Sequence, residues 1–198
     1  MKNSRIHRGD PPTKRITKRQ YRHALIELKR DFDNRCAYCM RKIYTDSEME
    51  VDHFNPRKKK STRQNYSNLF LADSHCNKAK GKKWPTKAAR RRGIRFLNCC
   101  KEIDYGGVVF EEPDTHILVG TTDAARYHIL QIDLNNDDLI ALRKRRSEAW
   151  KKFDLYKDIP RGAVPRMEEI MDGFASLLEC EIPPIPPPPA EKSRNDLG

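Results

Sequence analysis

Between residues 17 and 32 apolar side chains fall at Tyr21, Leu25, Leu28 and Phe32, with charged residues between them. That spacing returns every three to four residues and predicts an amphipathic helix over Thr17 to Phe32. Met49 to His53 reads as a short strand, followed by a basic loop from Pro56 to Gln64. Tyr66 to Gly81 turns from apolar (Leu69, Phe70, Leu71) to polar. A basic helix is expected to start at Pro85 or Thr86, since proline fits a first helical turn. Val108 to Val119, split by Glu111 to Asp114, predicts a hairpin, and Arg126 to Leu134 a further short strand or turn. Leu139, Leu142, Trp150 and Phe153 recur at helical offsets within Asn135 to Tyr156, with Asn136 or Asp137 placed to cap the helix start. Val164 to Cys180 carries Met167, Ile170, Met171, Phe174, Leu177 and Leu178 on one side, and IPPIPPPPA then opens a proline-rich tail in which no packed structure is expected.

The reading is α+β, in four stretches: a basic arm over 1–16, a compact core with flanking helices over 17–100, a hairpin and helical extension over 101–181, and the tail over 182–198. No apolar run approaches the roughly 18 to 20 residues that cross a bilayer, and the basic start from Met1 to Arg8 has no apolar stretch behind it. A cytoplasmic protein is the expectation.

Charge changes the picture more than hydropathy does. Residues 1–100 hold 27 basic and 9 acidic side chains, whereas residues 101–198 hold 13 and 19. A field so one-sided concentrates polyanions and releases their counterions, so nucleic acid is the expected partner of the first half. A solvated basic face with no partner is the plainer alternative.

The chain has 6 cysteines. Cys36 and Cys39 form a C-x-x-C, and Cys76 follows 37 residues later. Cys99 and Cys100 are adjacent and read as core thiols, because neighbouring cysteines rarely present both sulfurs to one ion. Two thiolates on one turn and a second ligand pair spaced by two residues would clamp a tetrahedral Zn²⁺, substituting for a core too small to hold that geometry. Near that clamp lie Asp52-His53 and Asn77, whose hard oxygens suit Mg²⁺ and whose imidazole suits proton abstraction from water. His7, His23, His116 and His128 read as surface or hydrogen-bonded residues.

The order Cys36-Ala37-Tyr38-Cys39, Val51-Asp52-His53-Phe54-Asn55-Pro56, Asn68-Leu69 and Cys76-Asn77-Lys78-Ala79-Lys80-Gly81 resembles the HNH endonucleases, the ββα-metal nucleases, in their zinc-bearing C-x-x-C form. The resemblance covers about residues 34 to 83. It implies a ββα-metal core stabilised by zinc, with an N-terminal helix and a C-terminal helical extension around it. It further implies His53 as general base, Asn68 as the residue bracing the loop that holds it, and Asp52 with Asn77 as ligands of a catalytic Mg²⁺. Lys80 takes the place of a phosphate-facing lysine, joined by Arg57, Lys58, Lys82 and Lys83 along a groove that follows the phosphate backbone.

One departure stands out. Where zinc-bearing relatives commonly have a second C-x-x-C, this chain has Asp73-Ser74-His75-Cys76. Carboxylate oxygen is an accepted zinc ligand, so Cys36, Cys39, Asp73 and Cys76 form the expected set; His75 in place of Asp73, or loss of the zinc, are the alternatives. The Leu71-Ala72 to Cys76-Asn77-Lys78-Ala79-Lys80-Gly81 stretch, the length, the basic N-terminal segment, the helical extension and the Leu134-Asn135 to Leu139 to Arg143 pattern look like the nuclease partners of SMC-like or ABC-type ATPases in antiphage systems such as Septu, including those attached to retrons. That implies a bacterial antiphage effector with an ATPase subunit, acting on DNA or RNA. A zinc-stabilised nucleic acid binder without catalysis, or a nuclease directed at RNA such as tRNA, are the competing readings.

Overall fold

The computed structural model describes residues 9, 24–43, 45, 48–58, 65–101 and 107–156, the last five of these without their side chains. The arm apart from Gly9, the start of the predicted first helix, the expected Val164 to Cys180 helix and the proline-rich tail lie outside the described residues. What is described is a mixed α+β arrangement built on two small antiparallel sheets.

Helix α1 (Leu25–Asp31) buries Leu28 and, just past its end, Phe32. The chain then turns through the cysteine knuckle into β1 (Met49–His53), which pairs with β2 (Leu69–Asp73) in a register that sets Asp52 opposite Phe70 and His53 opposite Leu69. All five residues of β2 are buried. A strand buried on both faces needs cover on both, and α1 packs against β2 while α2 (Ser74–Lys80) follows directly from it and packs back onto both strands.

Helix α2 starts where the Asp73 side chain accepts the His75 N–H at 2.9 Å, and it ends at Gly81, whose φ of 48° and ψ of −132° lie in a region other residues avoid. A short basic helix α3 (Lys87–Arg91) follows; its start is expected at Pro85 or Thr86, and Thr86 instead caps it, with Pro85 just outside.

The predicted hairpin is present as β3 (Val109–Glu111) and β4 (Leu118–Gly120). The stretch expected as a short strand or turn from Arg126 to Leu134 is instead helical: α4 spans Asp123–Ile132. Its start was hidden because the capping residue is Thr122, whose hydroxyl accepts the Ala125 N–H at 3.1 Å, four positions before the expected segment began. Ala125, His128, Ile129 and Ile132 then line one buried face at helical spacing, which overrides the weak helix preference of the Ile and Tyr residues among them. Helix α5 (Asp137–Tyr156) begins where expected, with the Asn136 carboxamide accepting the Leu139 N–H at 3.1 Å.

A row of rings joins the two halves. Phe54 stacks on Phe70 at 4.7 Å and meets Trp84 edge-on at 5.5 Å; Trp84 leads to Phe96 at 6.0 Å, and Phe96 to Tyr127 on α4 at 5.0 Å. Each such contact adds about 0.5–1.5 kcal/mol beyond the area it buries. The hairpin is fixed to α5 by buried Arg143, which donates to the carbonyls of His116 at 2.6 Å and Leu134 at 2.9 Å, and by Arg146, which pairs with Glu111. His116 and His128 are both buried, the first against Glu111 at 2.9 Å and the second accepting the Leu97 N–H at 3.1 Å.

Candidate metal and hydrolytic centre

The knuckle folds tightly because its backbone bonds across the turn: Met40 N–H donates to the Cys36 carbonyl and Cys36 N–H to that of Arg41, both at 2.9 Å. Helix α2 brings Cys76 to it, and the sulfurs of Cys36, Cys39 and Cys76 all lie within 4.8 Å of one another. Burial raises the Cys36 thiol, but hydrogen bonds from Cys39, Cys76 and the Asp73 backbone N–H outweigh it and hold Cys36 well below its ordinary pKa. Cys39 and Cys76 are pushed well up by their bonds to Cys36. One thiolate shared among three sulfurs, buried or half-buried, is a donor set that suits Zn²⁺.

The expected fourth ligand does not join them. The Asp73 carboxylate accepts from the His75 backbone and from the Arg41 guanidinium, so it caps α2 and pairs with the knuckle's own arginine, while its backbone N–H faces Cys36. His75 is exposed and lies beside Asn136 at 3.1 Å and Asp133 at 3.6 Å. Among the described residues the cluster is therefore three cysteines. Asp73→Asn is expected to leave the zinc content of the purified full chain near the wild-type value, and Cys36→Ser to abolish it, measured by metal analysis after dialysis; zinc loss in the aspartate variant would return Asp73 to the ligand set.

The second cluster lies between β1 and α2. Alternation along β1 turns Glu50 and Asp52 to the same face. Asn77 donates its carboxamide N–H to Glu50, and Lys80 places its ammonium 2.9 Å and 2.7 Å from the two Asp52 oxygens. Tyr38 adds its hydroxyl to the same carboxylate. His53 occupies the last position of the strand, half-buried, and its carbonyl accepts from Lys80 at 3.0 Å. Asn68 is buried and holds the loop after His53 at both ends of its carboxamide, accepting the Asn55 N–H at 3.0 Å and donating to the Asn55 carbonyl at 3.2 Å.

Lys80, expected to face phosphate, is corrected by its surroundings. It is 0% exposed. It stands one helical turn from buried Cys76, so both share the inner face of α2, and the ammonium pairs with Asp52 rather than reaching solvent. Burial lowers its pKa, with the Asp52 charge working against the shift. Burial foremost, then the Asp52 charge, raises the Tyr38 phenol far above its usual value, so it remains a neutral donor. Arg57, Lys82 and Lys83 are exposed and Lys58 half-buried, with Lys78, Lys87, Arg90, Arg91, Arg92 and Arg95 exposed along the same part of the chain.

Asp52 and Asn77, expected as one ligand pair, share no hydrogen bond; each has its own partner across the β1 and α2 interface. The side-chain oxygens of Glu50, Asp52 and Asn77 are hard donors of the kind Mg²⁺ takes. Sequence reasoning passed over Glu50 and Tyr38. Glu50 was recoverable from the period-two alternation with Asp52; nothing in the sequence ties Tyr38 to an aspartate 14 residues on.

Residues 36–83 match the HNH endonuclease family model. The match spans the knuckle, both strands of the first sheet and α2, so the sulfur cluster and the β1 and α2 interface both lie inside the matched segment. No curated protein and no solved structure matches the chain. The match supports a nuclease or nucleic-acid-binding function, with nucleic acid as the substrate that such a domain implies. No helix among the described residues is long and apolar enough to cross a membrane.

Proposed function

We propose that the chain is a metal-dependent endonuclease that hydrolyses phosphodiester bonds, with His53 as general base. The observation that carries this reading is the HNH match over 36–83, together with the layout within it: His53 closes β1, Asn68 grips the loop that follows, and Asn77 lies on the helix packed against the same strand. In this reading the His53 imidazole takes the proton of the attacking water. Asn68 keeps the strand end and its loop in place. Asp52 and Asn77, with Glu50 beside them, would hold the divalent cation, which supplies charge stabilisation at the phosphate and the departing 3′-oxygen. Arg57, Lys82, Lys83 and the exposed arginines after them would track the backbone without reading bases.

The antiphage role with an ATPase subunit belongs to this proposal as its finer part. Its support is the resemblance of the Leu134 to Arg143 pattern, where Arg143 ties Leu134, Asn135 and His116 together. One observation favours a second reading, a binder without catalysis: Lys80 already neutralises Asp52.

Incubating the purified chain, zinc retained, with plasmid, single-stranded DNA and total RNA, with and without Mg²⁺ or Mn²⁺ and its genomic neighbour, separates the two. Cleavage that requires the added cation is the expected result, and the polymer cut identifies the substrate. Binding with no cleavage under any combination would establish the binder instead.

A further inference from the structure

We infer that Tyr38, inside the cysteine knuckle, is a positioning residue for the hydrolytic site, joining the sulfur cluster to Asp52 and so to the His53 end of β1. The inference rests on the hydrolytic reading above. Tyr38 is 2% exposed and makes polar contacts in two directions. Its backbone N–H donates to the Cys36 sulfur at 3.4 Å, and its hydroxyl donates to Asp52. One residue therefore spans from a thiolate of the knuckle to the carboxylate preceding the proposed base.

Space filling does not account for the hydroxyl. The ring lies 6.3 Å from Phe70 and 6.0 Å from His128, with the Lys80 ammonium 5.9 Å from its centre, and phenylalanine would make every one of those contacts. Burying a phenol oxygen costs free energy unless a partner repays it. Here the partner is a buried carboxylate whose other donor, Lys80, also holds the His53 carbonyl. Tyr38 shares one Asp52 oxygen with Lys80, which also contacts the other oxygen and reaches the carbonyl of His53 at the strand end. Removing the hydroxyl leaves Asp52 to the Lys80 ammonium alone and shifts how that ammonium divides between Asp52 and the His53 carbonyl.

The test is Tyr38→Phe in the full chain, with zinc content measured and His53 followed through its imidazole ¹H–¹⁵N resonances. A displaced base lowers turnover without weakening binding, so kcat is expected to fall about ten- to a hundredfold. KM should stay within about twofold, because remote binding contacts are untouched. The His53 resonances should move. Unchanged kcat and unchanged resonances would overturn the inference, as would a loss of kcat with the His53 signals in their wild-type positions. If the wild type cleaves no polymer, the hydrolytic reading fails on its own, and the resonances alone decide whether Tyr38 sets His53. Should the phenylalanine variant not fold, Asp52→Asn weakens the same contact from the acceptor side and is read by the same signals, moved if the inference holds and unmoved if it does not.

Discussion

Replacing Lys80 by methionine is expected to remove about 3–5 kcal/mol of folding stability, the usual cost of leaving one partner of a buried ion pair uncompensated. Methionine keeps the length and apolar stem of the side chain, so packing against the Tyr38 and Phe96 rings, each 5.9 Å from the ammonium, is largely preserved. The loss is electrostatic. Asp52 is 5% exposed, and without the ammonium it retains only the Tyr38 hydroxyl as a donor. A domain of ordinary stability has about 5–15 kcal/mol to lose, so the variant sits close to unfolding. Guanidinium unfolding followed by circular dichroism measures the difference, and a deficit below about 1 kcal/mol would show that the pair is not buried as described. Adding Asp52→Asn to the lysine variant should recover part of the loss, because the stranded charge goes with it. Lys82→Met and Lys83→Met supply the contrast. Both lysines are exposed, so each should cost no more than about 0.5 kcal/mol of stability. Each should also lower the salt dependence of nucleic acid binding by about one unit of slope.

His53→Ala is expected to lower kcat by about 10²–10⁴-fold, the range that a positioned general base contributes. The substitution falls at the end of β1 on a half-buried residue, away from the sulfur cluster, so zinc content should be unchanged. Affinity for uncleaved substrate should hold, since the basic side chains proposed to meet the phosphates lie elsewhere. Single-turnover cleavage and filter binding on the same preparation report the two quantities. Parallel loss of both would make His53 a binding residue, and unchanged turnover would remove it from the mechanism.

Helix α5 lies where the helical spacing of its apolar residues puts it, and β1 and the β3 and β4 hairpin fall on the short stretches expected as a strand and a hairpin. Helix α4 was not legible in the sequence, because its cap and first turn, Thr122 to Ala125, hold the only strong start signal and the segment considered began at Arg126. The site divides in the same way. Cysteine spacing brings Cys36, Cys39 and Cys76 together, and that is where the sulfurs meet. Asp73 stands where the resemblance puts the first cysteine of a second C-x-x-C, and carboxylate is an accepted zinc ligand, but a carboxylate at a helix start also has orphan N–H groups within reach, and here that role and Arg41 take its oxygens. For Lys80 the resemblance implies a phosphate-facing side chain, but the residue lies four positions from a buried cysteine on one helix, and that spacing turns it inward. Tyr38 was out of reach, because its acceptor is brought near only when β1 and the knuckle pack together.

Helix α2 has seven residues, and Cys76 and Lys80 leave it on the same side. Each added residue advances a helix by about 100°, so a single insertion between these two would swing the ammonium away from the strand while the sulfur stayed behind. The phase of one short helix thus sets a sulfur and an ammonium at once, and length variation there is closed to this protein even where substitutions are tolerated.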